Sequence, residues 1–162
     1  MSFNVRVYGI LIDASDRILV SDEMIQGNSF TKFPGGGMEY GEGTRECLRR
    51  EFREELELDI EVKDHIYTTD FFQESAFKPH DQLISIYYSI VAKGIIDLTR
   101  IHIDDEKEAF DIKPHADQES FRLVPLSRFN PAMLSFPIDK VVGQLICKNY
   151  NDRVTLFSPH KY

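Results

Sequence analysis

The chain has 162 residues, 42% of them apolar and 12% aromatic, proportions that suit a globular protein with a hydrophobic core. That length fits one domain spanning 1–162, able to bury roughly 70% of the surface its unfolded chain exposes. A net charge of −8 argues against binding a nucleic-acid polymer, which needs basic surface to replace counterions, and no run approaches the ~18 apolar residues of a membrane span.

Taken in chain order, Phe3–Ile12 alternates and then turns continuously apolar, as a strand entering a core does. It begins almost at Met1 and lacks a secretory apolar region, and Cys47 and Cys147 suggest no disulfide framework, so the cytosol is the expected compartment. Asp13–Arg17 reads as a turn, Ile18–Val20 as the returning strand, and Gln26–Ser29 as a loop before a short apolar step at Phe30 and Phe33. A glycine turn, Gly35-Gly36-Gly37, leads into a helix over Thr44–Leu56, whose Leu48, Phe52 and Leu56 recur every four residues as a buried stripe. Ile60–Phe72 and Leu83–Ala92 read as longer strands around a loop, Glu74–Gln82. The acidic stretch 104–119, broken by Pro114, reads as a long loop, and Phe121–Leu126 as a last strand. Pro137 opens a helix, Ile138–Asn149, with Val141, Val142, Leu145 and Ile146 on one side, and 150–162 is an unassigned tail. Strands alternating with two helices predict a mixed α/β layer architecture.

The informative segment is 36–58. Glu51, Glu54 and Glu55 stand at i, i+3 and i+4 of the predicted helix, so they project from neighbouring positions on one face, beside the buried stripe. Three adjacent anions repel one another and call for a compensating cation. Ordinary helix-surface pairing through Glu46–Arg50 and Arg50–Glu54 explains the charges but not the glycines in front of them. The residues point to a hard-metal site at the start of a helix, such as Mg²⁺, with Mn²⁺ as a substitute.

The spacing also resembles the signature of the Nudix (MutT-like) hydrolases, G-x5-E-x7-R-E-U-x-E-E-x-G-U, where U is bulky and aliphatic. Gly36, Glu42, Arg50, Glu51, Glu54, Glu55 and Leu58 match, and Phe52 is a bulky apolar substitute. One position departs: Glu57 stands where the family usually has glycine. A left-handed glycine there lets the chain leave the helix, and forcing another residue into that conformation costs about 1–2 kcal/mol. The chain is therefore expected to end its helix differently, around Leu58 and Asp59.

The resemblance implies an α/β/α sandwich around a mixed sheet and a metal held mainly by Glu51 and Glu55. Glu54 is implied as a ligand or water-positioner, and the Gly35 carbonyl as a further ligand. Arg50 would orient the carboxylates, and Glu42 would brace the loop of Gly35, Gly36 and Gly37 against metal and phosphate. A distant acidic residue often serves this family as base or extra ligand; Asp117 and Glu119 are placed for it, with Glu119 preferred. Tyr67, Phe71, Phe72 and Phe77 are candidates to stack a base, and Arg6, Tyr8, Phe30 and Lys32 to face substrate from the first strands. The five histidines show no ligand spacing that predicts zinc.

The expected activity is Mg²⁺-dependent cleavage of a nucleoside diphosphate linked to another moiety, by water attack at phosphorus. The alternative is a Nudix-fold binding or regulatory module without turnover, which has no chemical reason to hold Glu42, Glu51, Glu54 and Glu55 together. The expected partner is a small nucleotide-type substrate, with neither membrane nor polymer, and association as a homodimer is the commonest oligomeric outcome.

Overall fold

The computed structural model describes residues 2–25, 27–104 and 119–151, so Asp117 and most of the expected acidic loop lie outside the described residues. The described residues form eight strands and two long helices, in order: β1 (Phe3–Leu11), β2 (Arg17–Ile25), β3 (Asn28–Lys32), β4 (Gly35–Gly37), α1 (Thr44–Leu56), β5 (Ile60–Thr68), β6 (Gln82–Ala92), β7 (Ile101–Ile103), β8 (Glu119–Pro125) and α2 (Pro137–Asn151). A short 3-10 turn at Pro131–Met133 precedes α2.

The strands form two four-stranded mixed sheets, ordered β4-β1-β6-β5 and β3-β2-β8-β7. In the first, β1 runs antiparallel to β4 and parallel to β6, with Tyr8 opposite Tyr87. In the second, β2 pairs antiparallel with both β3 and β8, while β7 lies parallel to β8. The expected mixed α/β architecture is present, with two sheets sharing its strands.

Side chains of successive strand residues point to opposite faces, and both sheets use this to build two apolar clusters. Val7 and Leu11 of β1, Leu19 of β2 and Phe121 and Leu123 of β8 join Leu48, Phe52 and Leu56 of α1 in one cluster. Tyr8 and Ile10 of β1, Ile18 and Val20 of β2 and Val124 of β8 join Ile138, Val142 and Ile146 of α2 in the other. Each helix thus covers its own core, and no helix among the described residues is long and apolar enough to cross a membrane.

Three expectations change. The glycine triplet is a strand, β4, and not a free turn, because β1 supplies the partners that glycine's own propensity does not. The strand expected over Ile60–Phe72 stops at Thr68, leaving Phe72 71% exposed. And the chain does not avoid the left-handed exit of α1: Glu57 itself adopts φ 51° and ψ 30°. Its N–H donates to the Arg53 carbonyl and that of Leu58 to the Phe52 carbonyl, which closes the helix as glycine would.

Candidate active site

Gly35 and Gly36 shape the site by lacking a side chain. Gly35 has φ +136°, and a Cβ there would lie 2.2 Å from the Val7 carbonyl oxygen. At Gly36 a Cβ would lie 2.4 Å from the Glu51 carboxylate carbon and from both its oxygens. The Glu51 carboxylate therefore rests directly on bare backbone of β4, and the residue is only 9% exposed.

Arg50 ties the helix to the loop before it. Its Nε and Nη2 reach the two Glu42 oxygens at 3.0 and 2.7 Å, a bidentate pair. Nη1 donates to Glu51 at 2.9 Å and to Glu54 at 3.2 Å, and Nη2 also donates to the Gly37 carbonyl at 3.0 Å. The guanidinium so placed, with a further bond from the Glu39 N–H at 2.7 Å, holds the Glu42 carboxyl down to about 2. Glu42 thus bonds both to Arg50 and to the loop N–H of Glu39, and Arg50 bonds to two of the three helix carboxylates.

Glu55 is different. Its Oε2 is buried and has no hydrogen-bond partner among the described residues. Burial first, then the nearby Glu119, Glu51 and Glu23 carboxylates, push its acid up to about 8. An acidic oxygen left without a donor among other acids is a binding position for a cation.

Glu119, far away in sequence, acts electrostatically on Glu55 of α1. β8 places it opposite Glu23 of β2, and β3 places Lys32 opposite Ser21 of β2, so all four share one face of the second sheet. The Lys32 ammonium lies 2.9 Å from Glu23 Oε1 and 3.4 Å from Glu119 Oε1, and donates to the Gly35 carbonyl at 3.3 Å. The Ser21 hydroxyl donates to Glu119. Burial alone would lower the Lys32 pKa, but Glu119 and Glu23 hold it above the ordinary lysine value.

This assembly opens on a cavity of about 210 Å³. Lys32 and Glu23 form its wall on the carboxylate side; Arg6, Tyr8, Phe77, Phe136 and Asp139 are among its other walls. Phe30 stacks on Phe136 with ring centres 5.4 Å apart, and Phe77 meets both edge-on. Of the four aromatics considered for base stacking, only Phe77 lines this space. Tyr67 instead packs against Tyr87, and Phe71 and Phe72 are exposed.

Asp139 was not visible as a site residue, because an acid in the first turn of a helix is ordinary. It is 2% exposed, accepts a 2.6 Å hydrogen bond from the Tyr87 hydroxyl, and burial pushes it up to about 7. Glu23 and Ser21 were missed for a related reason: only cross-strand register brings them to Glu119.

The donor set fits a hard divalent cation: an orphaned buried carboxylate oxygen at Glu55, Glu51 cradled on β4, and a carbonyl at Gly35. Among the described residues no three acidic, histidine or cysteine side chains already converge as ligands. Arg50 draws Glu51 and Glu54 to itself, and Lys32 does the same with Glu119.

Solved structures share this fold at low sequence identity. The solution structure of the E. coli ORF135 protein superposes with a TM-score of 0.67 at 17% identity, over 96% of this chain and 96% of that one. The NUDIX hydrolase from Nitrosomonas europaea gives 0.66 at 14% identity, covering 94% of this chain and 74% of its own. The MutT protein from Methanosarcina mazei Go1 gives 0.63 at 14%, covering 92% and 96%. No curated protein sequence matches the chain. The model of the NUDIX domain matches residues 2–142, and the chain belongs to the Nudix hydrolase family.

Proposed function

We propose that this protein is a Mg²⁺-dependent pyrophosphohydrolase acting, as a single domain in the cytosol, on a nucleoside diphosphate linked to another moiety. The observation that carries this reading is the buried Glu55 oxygen, without a partner among the described residues and under the field of the Glu51, Glu119 and Glu23 carboxylates, in an assembly whose Lys32 and Glu23 line a cavity of about 210 Å³. Glu51, Glu54, Glu55 and the Gly35 carbonyl would hold Mg²⁺ or Mn²⁺, with Glu51 and Glu55 as principal ligands. The bound ion supplies positive charge against the diphosphate oxygens and makes water a better nucleophile.

The protein's own residues do the rest. Arg50 orients Glu51 and Glu54 through charge-assisted hydrogen bonds. Glu119 accepts the proton of the attacking water, whose oxygen bonds to phosphorus as the bridging P–O bond breaks. The nucleotide moiety lies in the cavity, where Phe77 and Phe136 offer aromatic surface and Arg6 and Lys32 offer charge to phosphate. The negative overall charge fits a small substrate rather than a polymer, and homodimerisation is proposed on symmetry grounds alone.

The test is monophosphate release from a panel of nucleoside diphosphate derivatives, with and without Mg²⁺, for the wild type and Glu55→Gln. Metal-dependent release that falls about a hundredfold or more in the variant is expected, comparable to loss of one electrostatic contact at a reacting centre. Turnover that needs no metal, or that survives in Glu55→Gln, overturns the reading. Nucleotide binding without any turnover would favour the regulatory module instead.

A further inference from the structure

The buried ammonium of Lys32 stands where a metal ion would need room. It touches Glu23, Glu119 and the Gly35 carbonyl at 2.9, 3.4 and 3.3 Å. The residue is 3% exposed, so water does little to screen that charge. A divalent ion on the Gly35 carbonyl would sit ~2.1 Å from an oxygen that the ammonium already hydrogen-bonds. Two cations that close, inside the protein, repel strongly.

The ammonium has somewhere to go. Lys32 and Glu23 both line the adjoining cavity of about 210 Å³. A four-carbon stem can swing the charge from Gly35 and Glu119 into that space while Glu23 stays its partner. Glu119 and the carbonyl are then released together.

We propose that Lys32 is the resident cation of the metal-free site, a competitor built into the chain that neutralises Glu23 and Glu119 until a divalent ion displaces it toward the substrate cavity. Metal binding then works against the lysine contacts, and anything that draws the ammonium into the cavity strengthens metal binding by the same factor. An anionic phosphate in the cavity does so. This inference rests on the metal-site reading above and adds the element that sets how tightly the site loads.

The experiment is Mn²⁺ titration of substrate-free wild type and Lys32→Met, followed by electron paramagnetic resonance, with melting curves in EDTA and in Mn²⁺. Lys32→Met is expected to bind Mn²⁺ at least tenfold more tightly. Its EDTA form should melt below the wild type, because buried acids have lost their counter-cation, and its rise in Tm on adding Mn²⁺ should be the larger. Equal or weaker Mn²⁺ binding by Lys32→Met overturns the resident-cation role and leaves the metal site standing. No Mn²⁺ binding by either protein overturns the metal site itself.

If Lys32→Met does not fold, the wild type decides alone. Acetylation of Lys32, read by mass spectrometry, should rise severalfold when Mn²⁺ is added, as the ammonium leaves its buried partners. Unchanged or reduced labelling overturns the proposal.

Discussion

Replacing Gly36 with alanine tests the site at its tightest point. The added carbon would lie 2.4 Å from three atoms of the Glu51 carboxylate, where ordinary contacts begin at 3.4 Å. Glu51 must therefore retreat by about 1 Å, since repulsion at the shorter distance far exceeds the energy of any single contact it makes. The retreat also stretches the 2.9 Å bond from Arg50 to Glu51, a charge-assisted contact worth about 1.5–3 kcal/mol. A misplacement of about 1 Å at a reacting centre costs on the order of a hundredfold in rate, or about 2.7 kcal/mol of barrier. Gly36→Ala should lose that much in kcat/KM for metal-dependent phosphate release, while circular dichroism shows the fold intact. Gly37→Ala is the comparison: its added carbon meets no described residue within 4 Å, so its loss should be far smaller. A Gly36→Ala enzyme within about threefold of wild type, on a scale where one misplaced contact is worth a hundredfold, would refute the claim that bare backbone seats Glu51.

Glu57→Gly should raise stability by about 0.5–1 kcal/mol in urea melts, since it removes left-handed strain of about 1–2 kcal/mol but adds flexibility to the unfolded chain; an unchanged or lower midpoint would contradict the strain at φ 51°. Asp139 titrates near 7 in the folded protein, far above an unfolded aspartate, so between about pH 4 and pH 7 the folded state holds a proton that the unfolded state has lost. Stability should therefore fall as pH rises through that window, and Asp139→Asn, which keeps an acceptor for Tyr87, should flatten the profile and be more stable at pH 8 by about 1–3 kcal/mol; parallel profiles would rule this out. Glu55→Gln should melt higher than wild type in EDTA by an amount equivalent to about 1–2 kcal/mol, because it replaces a buried, unpaired acidic oxygen by a neutral amide. A lower Tm in EDTA would mean that Glu55 is satisfied in the metal-free protein.

What could be read from the sequence follows the range of the interactions involved. The helix α1 occupies Thr44–Leu56, the span its spacing predicts, because Leu48, Phe52 and Leu56 carry the 3.6-residue period within three turns. The order of its carboxylates and the place of Arg50 among them follow from the same local geometry. β4 was missed since three glycines have no strand propensity of their own; Val7 and its neighbours supply the pairing from about thirty residues away. β7, at Ile101–Ile103, is too short to show any period. Glu23, Ser21, Lys32 and Glu119 form one cluster only through the register of three strands, and register is a tertiary property. Glu119 was reached through family resemblance, whereas Glu23 and Asp139 had no signal that separates them from surface acids.

The alternation of β1 leaves the molecule with a division of labour that an engineer or natural selection can use. Val7 and Leu11 pack with the helix that bears the carboxylates, while Tyr8 and Ile10 pack with α2, which brings Ile138 and Asp139 to the cavity wall. Changes on the α2 side can reshape what the cavity accepts without disturbing the seat of Glu51 on the far side of the sheet. A library confined to Phe136, Ile138 and Phe77 would thus sample new ligand preferences against constant chemistry. One face of a strand is free to diversify because the other holds still.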